Sequence, residues 1–317
     1  MESYHKFTRR KFGHDYKSPC HYHIIIKKNP DYQKFGTVRG DASIKPGNPG
    51  APYISLTEQG QIISKNIFNL DKRFPQYFKT YQFIVMPDHI HIFLKVKDYM
   101  EKALGYYING LKAGIAKEIS FKQERKILPS NIFQPNYTDR IIYKGFNYHL
   151  IIDYIRENPY RLAVRKQIPY FFQRKYMFWL DGIKYEAYGN LMLMKNPFKM
   201  NIHLSDKCTQ EEFEILLEEA IHVCENGGVM VSPFISGKEK LIRATGIKAG
   251  GKIIRITNKP LLELYKPGGE EFELCTQGRF LIIAPLESMG EISREVCRKM
   301  NGIASLIAGV SGFTAMK

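Results

Sequence analysis

Cysteine is scarce and scattered in this chain. Cys20, Cys208, Cys224, Cys275 and Cys297 are odd in number and include no CxxC pair, which argues against a disulfide framework and against a cysteine-ligated zinc site. Long apolar runs are missing as well. No stretch approaches the roughly 18 residues of a membrane helix, and the start, Met1 to Lys11, is polar and basic without the apolar core of a signal peptide. A soluble, cytoplasmic protein with no membrane partner is expected. The 317 residues suffice for two domains with separate cores.

Acidic residues are scarce in one half only. Residues 1–180 hold 30 Lys/Arg against 14 Asp/Glu, whereas residues 181–317 hold 17 against 17, so the whole excess of +16 lies in the first half. Tyrosine and phenylalanine alternate with the cations there, as in Phe78-Lys79-Thr80-Tyr81. Cations neutralise phosphates and rings stack on unpaired bases, so nucleic acid is the natural partner. For any single cluster a solvated basic surface remains the alternative.

In Tyr81-Gln-Phe-Ile-Val-Met-Pro-Asp-His-Ile-His-Ile-Phe-Leu94 two histidines interrupt an apolar run broken at Pro87-Asp88. Two strands follow from this pattern. Residues two apart on a strand face the same way, so His89 and His91 project together while Ile90 and Ile92 enter the core. Two neutral imidazoles so placed make half of a metal site. His21 and His23 repeat the spacing on an earlier strand, His21 to Lys27, but lie among tyrosine and polar residues, where facing nucleic acid or solvent is the expected role.

Between these strands the spacing predicts a glycine- and proline-rich loop or hairpin over Asp31 to Pro52 and a helix capped by Thr57. Asp98 is expected to cap a helix to about Lys122, and Asn147 one that Pro159 ends. On that last helix Tyr154 and Asn158 are four apart, hence on one face. A tyrosine and an amide can thus address one site, or the tyrosine can simply pack the helix on a sheet. As a nucleophile the phenol would need an electrophile polarised by a nearby metal.

These residues resemble the HUH-type single-strand DNA transposases with one catalytic tyrosine, in the branch of REP-associated tyrosine transposases, over about the first 175 residues. Met86-Pro-Asp-His-Ile-His91 is similar to the family's histidine motif, Asp153-Tyr-Ile-Arg-Glu-Asn-Pro-Tyr-Arg161 to its tyrosine motif, and Tyr22-His-Ile24 to its first strand. Phe133-Gln134 and Asp139-Arg140 depart from the family's usual Trp-Gln and Asp-His. The resemblance implies an α+β ferredoxin-like antiparallel sheet domain. His89, His91 and Asn158 would bind a divalent metal, Mg2+ or Mn2+, and Tyr154 would form a 5′-phosphotyrosine. The expected partners are single-stranded DNA with hairpin or repeat structure and, as an open alternative, a second copy of the chain. Arg9, Arg10, Lys11, Lys112, Arg140, Arg156 and Arg161 are the candidate DNA contacts. A non-catalytic hairpin binder and a metal-dependent RNA hydrolase remain open as other readings.

The second half reads as short apolar strands separated by helices, which predicts an α/β doubly wound, Rossmann-like parallel sheet. The expected domains are residues 1–176 and 177–317. Ser232 to Lys238, between a strand end and a helix start, is a candidate anion or ligand loop, although its glycines match no nucleotide signature. This half resembles Rossmann-type domains of the DNA-processing protein A and lysine-decarboxylase-like group, which would suit an accessory nucleic-acid, nucleotide or protein contact.

Overall fold

The computed structural model describes residues 10–143, 145–263 and 265–309. The chain is a mixed α/β protein that divides into two compact units, residues 1–164 and 165–317. Among the described residues no helix is long and apolar enough to cross a membrane.

In the first unit β1 (Cys20–Lys27) leads into the hairpin β2 (Gly36–Arg39) and β3 (Tyr53–Leu56), then α1 (Glu58–Phe68) and a short α2 (Leu70–Arg73). β4 (Phe78–Val85), β5 (His89–Val96), α3 (Leu104–Lys122), a short α4 (Pro129–Ile132), β6 (Thr138–Ile142), α5 (Tyr148–Arg156) and α6 (Asn158–Gln167) follow. β1, β4, β5 and β6 form one antiparallel sheet in the order β4-β5-β1-β6. Alternation gives this sheet two unlike faces. Tyr22, Ile24 and Ile26 of β1 and Ile90, Ile92 and Leu94 of β5 pack with Ile63 and Ile67 of α1 and with Ile108, Leu111 and Ile115 of α3 in the main core. The other face carries the histidines and Phe93, and α5 covers part of it through Ile151 and Ile155.

Thr57 caps α1, its Oγ1 accepting from the Gly60 amide, and Asn147 caps α5 by accepting from His149. Two helix limits differ from expectation. α3 starts at Leu104 with no side-chain cap, so Asp98 lies too early to serve. Pro159 does not end a helix; it sits in the first turn of α6, where the amide it lacks would have no intrahelical partner anyway.

The second unit contains β7 (Gln173–Leu180), β8 (Ile183–Gly189), β9 (Lys199–Asn201), α7 (Gln210–Glu225) and β10 (Val229–Ser232). It continues with α8 (Gly237–Lys248), β11 (Lys252–Ile256), α9 (Gly269–Thr276), β12 (Phe280–Pro285) and α10 (Arg294–Ala308). The sheet order is β7-β8-β12-β11-β10-β9. β9 to β12 are mutually parallel, but β8 runs antiparallel to β12 and β7 to β8. The expected wholly parallel sheet is therefore mixed, and β7 crosses the expected boundary at residue 176. Asp181 and Gly182, at φ 47 and 70, close the hairpin as a two-residue turn of the primed kind. Where β8 passes β12, a Cβ on Gly189 would meet the Phe280 carbonyl oxygen at 2.3 Å, so only glycine fits. β9 to β12 also neighbour one another in chain order, so these strands contain no reversal of the kind that opens a ligand crevice in doubly wound sheets.

Candidate active site

The register of the first sheet sets Ile25 opposite His91, Lys27 opposite His89 and His23 opposite Phe93. His23 and His91 are thus diagonal neighbours on one face. Their ring nitrogens meet, His23 Nε2 to His91 Nδ1, at 2.9 Å, and His89 Nε2 lies 2.9 Å from His91 Nε2. His89 closes the row from its other side, with Nδ1 2.6 Å from an Asp88 carboxylate oxygen. The result is a chain Asp88, His89, His91, His23. His23 and His91 are buried, at 8% and 2% exposure, while His89 is half-buried.

Proton bookkeeping constrains this row. The Asp88 carboxylate only accepts, so His89 donates from Nδ1 and turns the lone pair of Nε2 toward His91. Burial, followed by the charges of Arg140 and His89, pushes the pKa of His23 down to about 4, so His23 is neutral near pH 7. A proton on His91 Nε2 satisfies the row as a hydrogen-bonded relay. A cation held by His89 and His91 would satisfy it equally, with His91 carrying its proton on Nδ1 and donating to His23.

Among the described residues no group of three His, Cys, Asp or Glu side chains is arranged to hold a metal ion. The reason is local: His23 spends Nε2 on His91, which leaves two histidines. The spacing of the two that remain still fits adjacent donors to an octahedral divalent cation. Adjacent donors of an octahedral ion at about 2.1 Å stand about 3 Å apart, close to the observed 2.9 Å between the two Nε2 atoms. Any third protein donor must come from outside that residue set, and Asn158 is the expected candidate by its amide oxygen. Asn158 is buried, its Nδ2 donating to the Tyr154 carbonyl at 2.8 Å and reaching the Ile155 carbonyl at 3.5 Å.

Tyr154 belongs to the same constellation. Ile151 and Ile155 anchor α5 on Phe93 and Ile142, and this turns Tyr154 toward the histidines. Its ring stands edge-on to His91 at 5.7 Å and to His23 at 6.0 Å between centroids. It remains 38% exposed, so part of the residue is open to solvent. The Arg161 guanidinium lies 5.5 Å over the same ring while donating to Glu157 at 2.8 Å.

No protein-family model matches the chain, and no curated protein matches it. Among solved structures it is similar to that of a REP-associated tyrosine transposase bound to a REP hairpin. The identity is 17%, over 51% of this chain and 75% of that one, with a TM-score of 0.33.

The candidate DNA contacts separate into two groups. Arg9 lies outside the described residues. Arg140 and Arg156 are exposed, and Arg140 lies over the Phe146 ring. Lys11 is exposed and bonds the Tyr143 hydroxyl. Arg161 is buried against Tyr154 and Glu157. Besides Arg161, two more residues depart from the expectation of exposed phosphate contacts. Lys112 is only 4% exposed; its ammonium donates to the Gln134 carbonyl at 3.0 Å and to that of Asn136, and burial holds its pKa down at about 8. Arg10 pairs with Asp139, donates to the Tyr137 carbonyl and stacks 3.5 Å over the Tyr137 ring. Both cations hold the segment leading into β6 in place.

From the sequence His23 is expected, with His21, to face nucleic acid or solvent, whereas the structure buries His23 against His91. The diagonal contact depends on strand pairing across 68 positions, although its alternation with apolar Ile24 and Ile26 was visible. The loop Ser232 to Lys238 in the second unit also differs from expectation. Glu239 is buried, and its carboxylate accepts from the amides of Leu204, Ile235 and Ser236. The chain's own carboxylate therefore occupies amides that an anion would need.

Proposed function

We propose that this protein is a metal-dependent single-stranded DNA endonuclease and strand transferase that acts through a 5′-phosphotyrosine on Tyr154. The observation that carries this reading is the convergence of His89 Nε2 and His91 Nε2 beside an accessible tyrosine on an otherwise packed sheet face. The order β4-β5-β1-β6, with its β-α-β-β-α-β succession over β1, α1, β4, β5, α3 and β6, suits a ferredoxin-like domain built to present that face.

In this reading His89 and His91, with the Asn158 amide oxygen, would hold Mg2+ or Mn2+. The bound ion would polarise the scissile phosphate and offset the charge that develops on its oxygens. The chain's residues do the rest. The Tyr154 oxygen bonds to phosphorus, the bond from phosphorus to the 3′ oxygen breaks, and the 3′ hydroxyl leaves carrying a proton. Attack by another strand's 3′ hydroxyl on the phosphotyrosine restores a phosphodiester and frees Tyr154. His23 keeps the His91 ring oriented, and Asn158 ties the nucleophile's turn to the start of α6. The basic first half supplies phosphate attraction.

The test is incubation of the protein with hairpin-bearing single-stranded DNA and Mn2+, followed by denaturing electrophoresis. A metal-dependent covalent protein-DNA species supports the proposal. Cleavage without such a species would replace strand transfer by hydrolysis.

A further inference from the structure

The sheet face that carries the histidines continues away from them as a cluster of rings ending at two lysines. Tyr81 is the extra residue of a β-bulge: Thr80 pairs with Leu94 and Gln82 with Phe93, which leaves Tyr81 without a cross-strand partner. A bulge re-aims a side chain, and this one lifts a ring that is 41% exposed. That ring lies 5.3 Å from Phe93 and 5.8 Å from His21, at 30° and 22° between planes. Tyr148 stacks on His21 at 4.5 Å, and its hydroxyl meets His21 Nδ1 at 3.2 Å. The four rings are thus braced by one another, with Tyr81, His21 and Tyr148 within 30° of parallel and Tyr81 open to solvent.

Beyond the rings the register brings like charges together. Lys79 stands opposite Lys95 across β4 and β5; His21, opposite Lys95 across β5 and β1, is held toward its neutral form by burial and by Lys95. Like charges directly opposite each other are unfavourable on a sheet. Among the described residues neither lysine has an ion-pair partner. An anion at this row would relieve the repulsion. The same helix links both ends of the face: Tyr148 opens α5, and Tyr154 lies six residues on, a rise of about 9 Å.

We infer that Tyr81, braced from behind by His21, Tyr148 and the buried Phe93, forms a stacking subsite for one unpaired base of the DNA strand, with Lys79 and Lys95 holding a phosphate next to it. The inference rests on the single-strand DNA reading above and adds where a base near the cleaved phosphate is held. A planar base with a π face is the ligand that an exposed ring beside a free cation pair suits, and stacking of this kind tolerates sequence. A duplex keeps its bases paired and stacked on one another, so the subsite selects unpaired DNA.

The probe is a hairpin-bearing single-stranded oligonucleotide whose unpaired flank is oligothymidylate carrying one 2-aminopurine, moved through successive positions, with full-length protein and Mn2+. Quenching of the analogue reports stacking, titration reports affinity, and a denaturing gel on the same samples reports the covalent adduct. Wild type and Tyr81→Phe should quench the analogue at one position. Tyr81→Leu should lose that quenching and bind about tenfold more weakly, within the range for one lost stacked base. Lys79→Gln with Lys95→Gln leaves every ring in place, and should lower the slope of log affinity against log salt by about 0.7, the share of the one phosphate contact the pair makes. Unchanged quenching and affinity in Tyr81→Leu, in protein that still forms the adduct, overturns the subsite. Stack-dependent quenching in a wild type that forms no adduct instead refutes strand transfer and leaves the subsite standing. A wild type that neither binds nor quenches refutes both.

Discussion

Replacing His23 by leucine separates its two roles by pH. Leucine fills much of the buried space but offers no ring nitrogen to His91. In metal-free protein near pH 7 the loss leaves a buried ring nitrogen unpartnered, which should cost about 1–3 kcal/mol. The wild type carries an opposite liability in acid. A folded-state pKa depressed from 6.5 to about 4 means that the unfolded chain binds this proton first. The stability contributed by neutral His23 is therefore whole above pH 6.5 and is lost as pH falls toward 4. At about 1.4 kcal/mol per pH unit the full loss is about 3 kcal/mol. His23→Leu lacks that liability, so its deficit at pH 7 should shrink or reverse by pH 4.5. Hydrogen exchange of β1 and β5 amides is the suitable assay, because the single tryptophan, Trp179, lies in the second unit and would report on that unit. Calorimetric titration with Mn2+ supplies the other half. Loss of the partner that orients His91 should weaken binding about 10- to 100-fold. Equal Mn2+ affinity, or a stability deficit that stays constant from pH 7 to 4.5, would refute the orienting role assigned to His23.

Tyr154→Phe should keep DNA affinity near wild type and abolish the covalent adduct on denaturing gels, since it removes one hydroxyl and keeps the ring. His89→Ala and His91→Ala should both abolish metal-dependent cleavage, and His91→Ala should lower the melting temperature more, because His91 is buried and His89 is not. Lys112→Met should destabilise the first unit by about 1.5–3 kcal/mol, the range for a lost charged hydrogen bond, while the salt dependence of DNA binding stays the same. A flattened salt dependence would return Lys112 to the DNA interface. Gly189→Ala should unfold the second unit's sheet, read as loss of the Trp179 signal, because its Cβ has no room beside Phe280.

Period-two alternation on β1 and β5 was legible, and it separated Ile90 and Ile92 from His89 and His91 without any knowledge of their partners. Caps at Thr57 and Asn147 were legible for the same reason: each acts within three residues. What stayed hidden depended on distant partners. Lys112 looked like a surface cation until the carbonyls of Gln134 and Asn136, 22 and 24 residues on, closed over it. His23 became part of the site only through the pairing of β1 with β5, and Arg10 lost its role as a DNA contact only through Asp139. The β7–β8 hairpin is a different case. Asp181-Gly182 between apolar runs is a strong local turn signal, and it was available in the sequence. Asp98 misled because an acceptor ahead of a periodic run resembles a cap, although the helix begins only at Leu104, after bends at Glu101 and Lys102 and an extended Ala103.

The central claim is that Tyr154 carries the DNA. Protein trapped with hairpin-bearing single-stranded DNA and Mn2+ can be digested with trypsin and nuclease, and the nucleotide-bearing peptide mapped by mass spectrometry. The proposal predicts a phosphotyrosine-linked nucleotide on Tyr154, absent when metal is chelated. A nucleotide on Tyr148, Tyr160 or any other residue would contradict it.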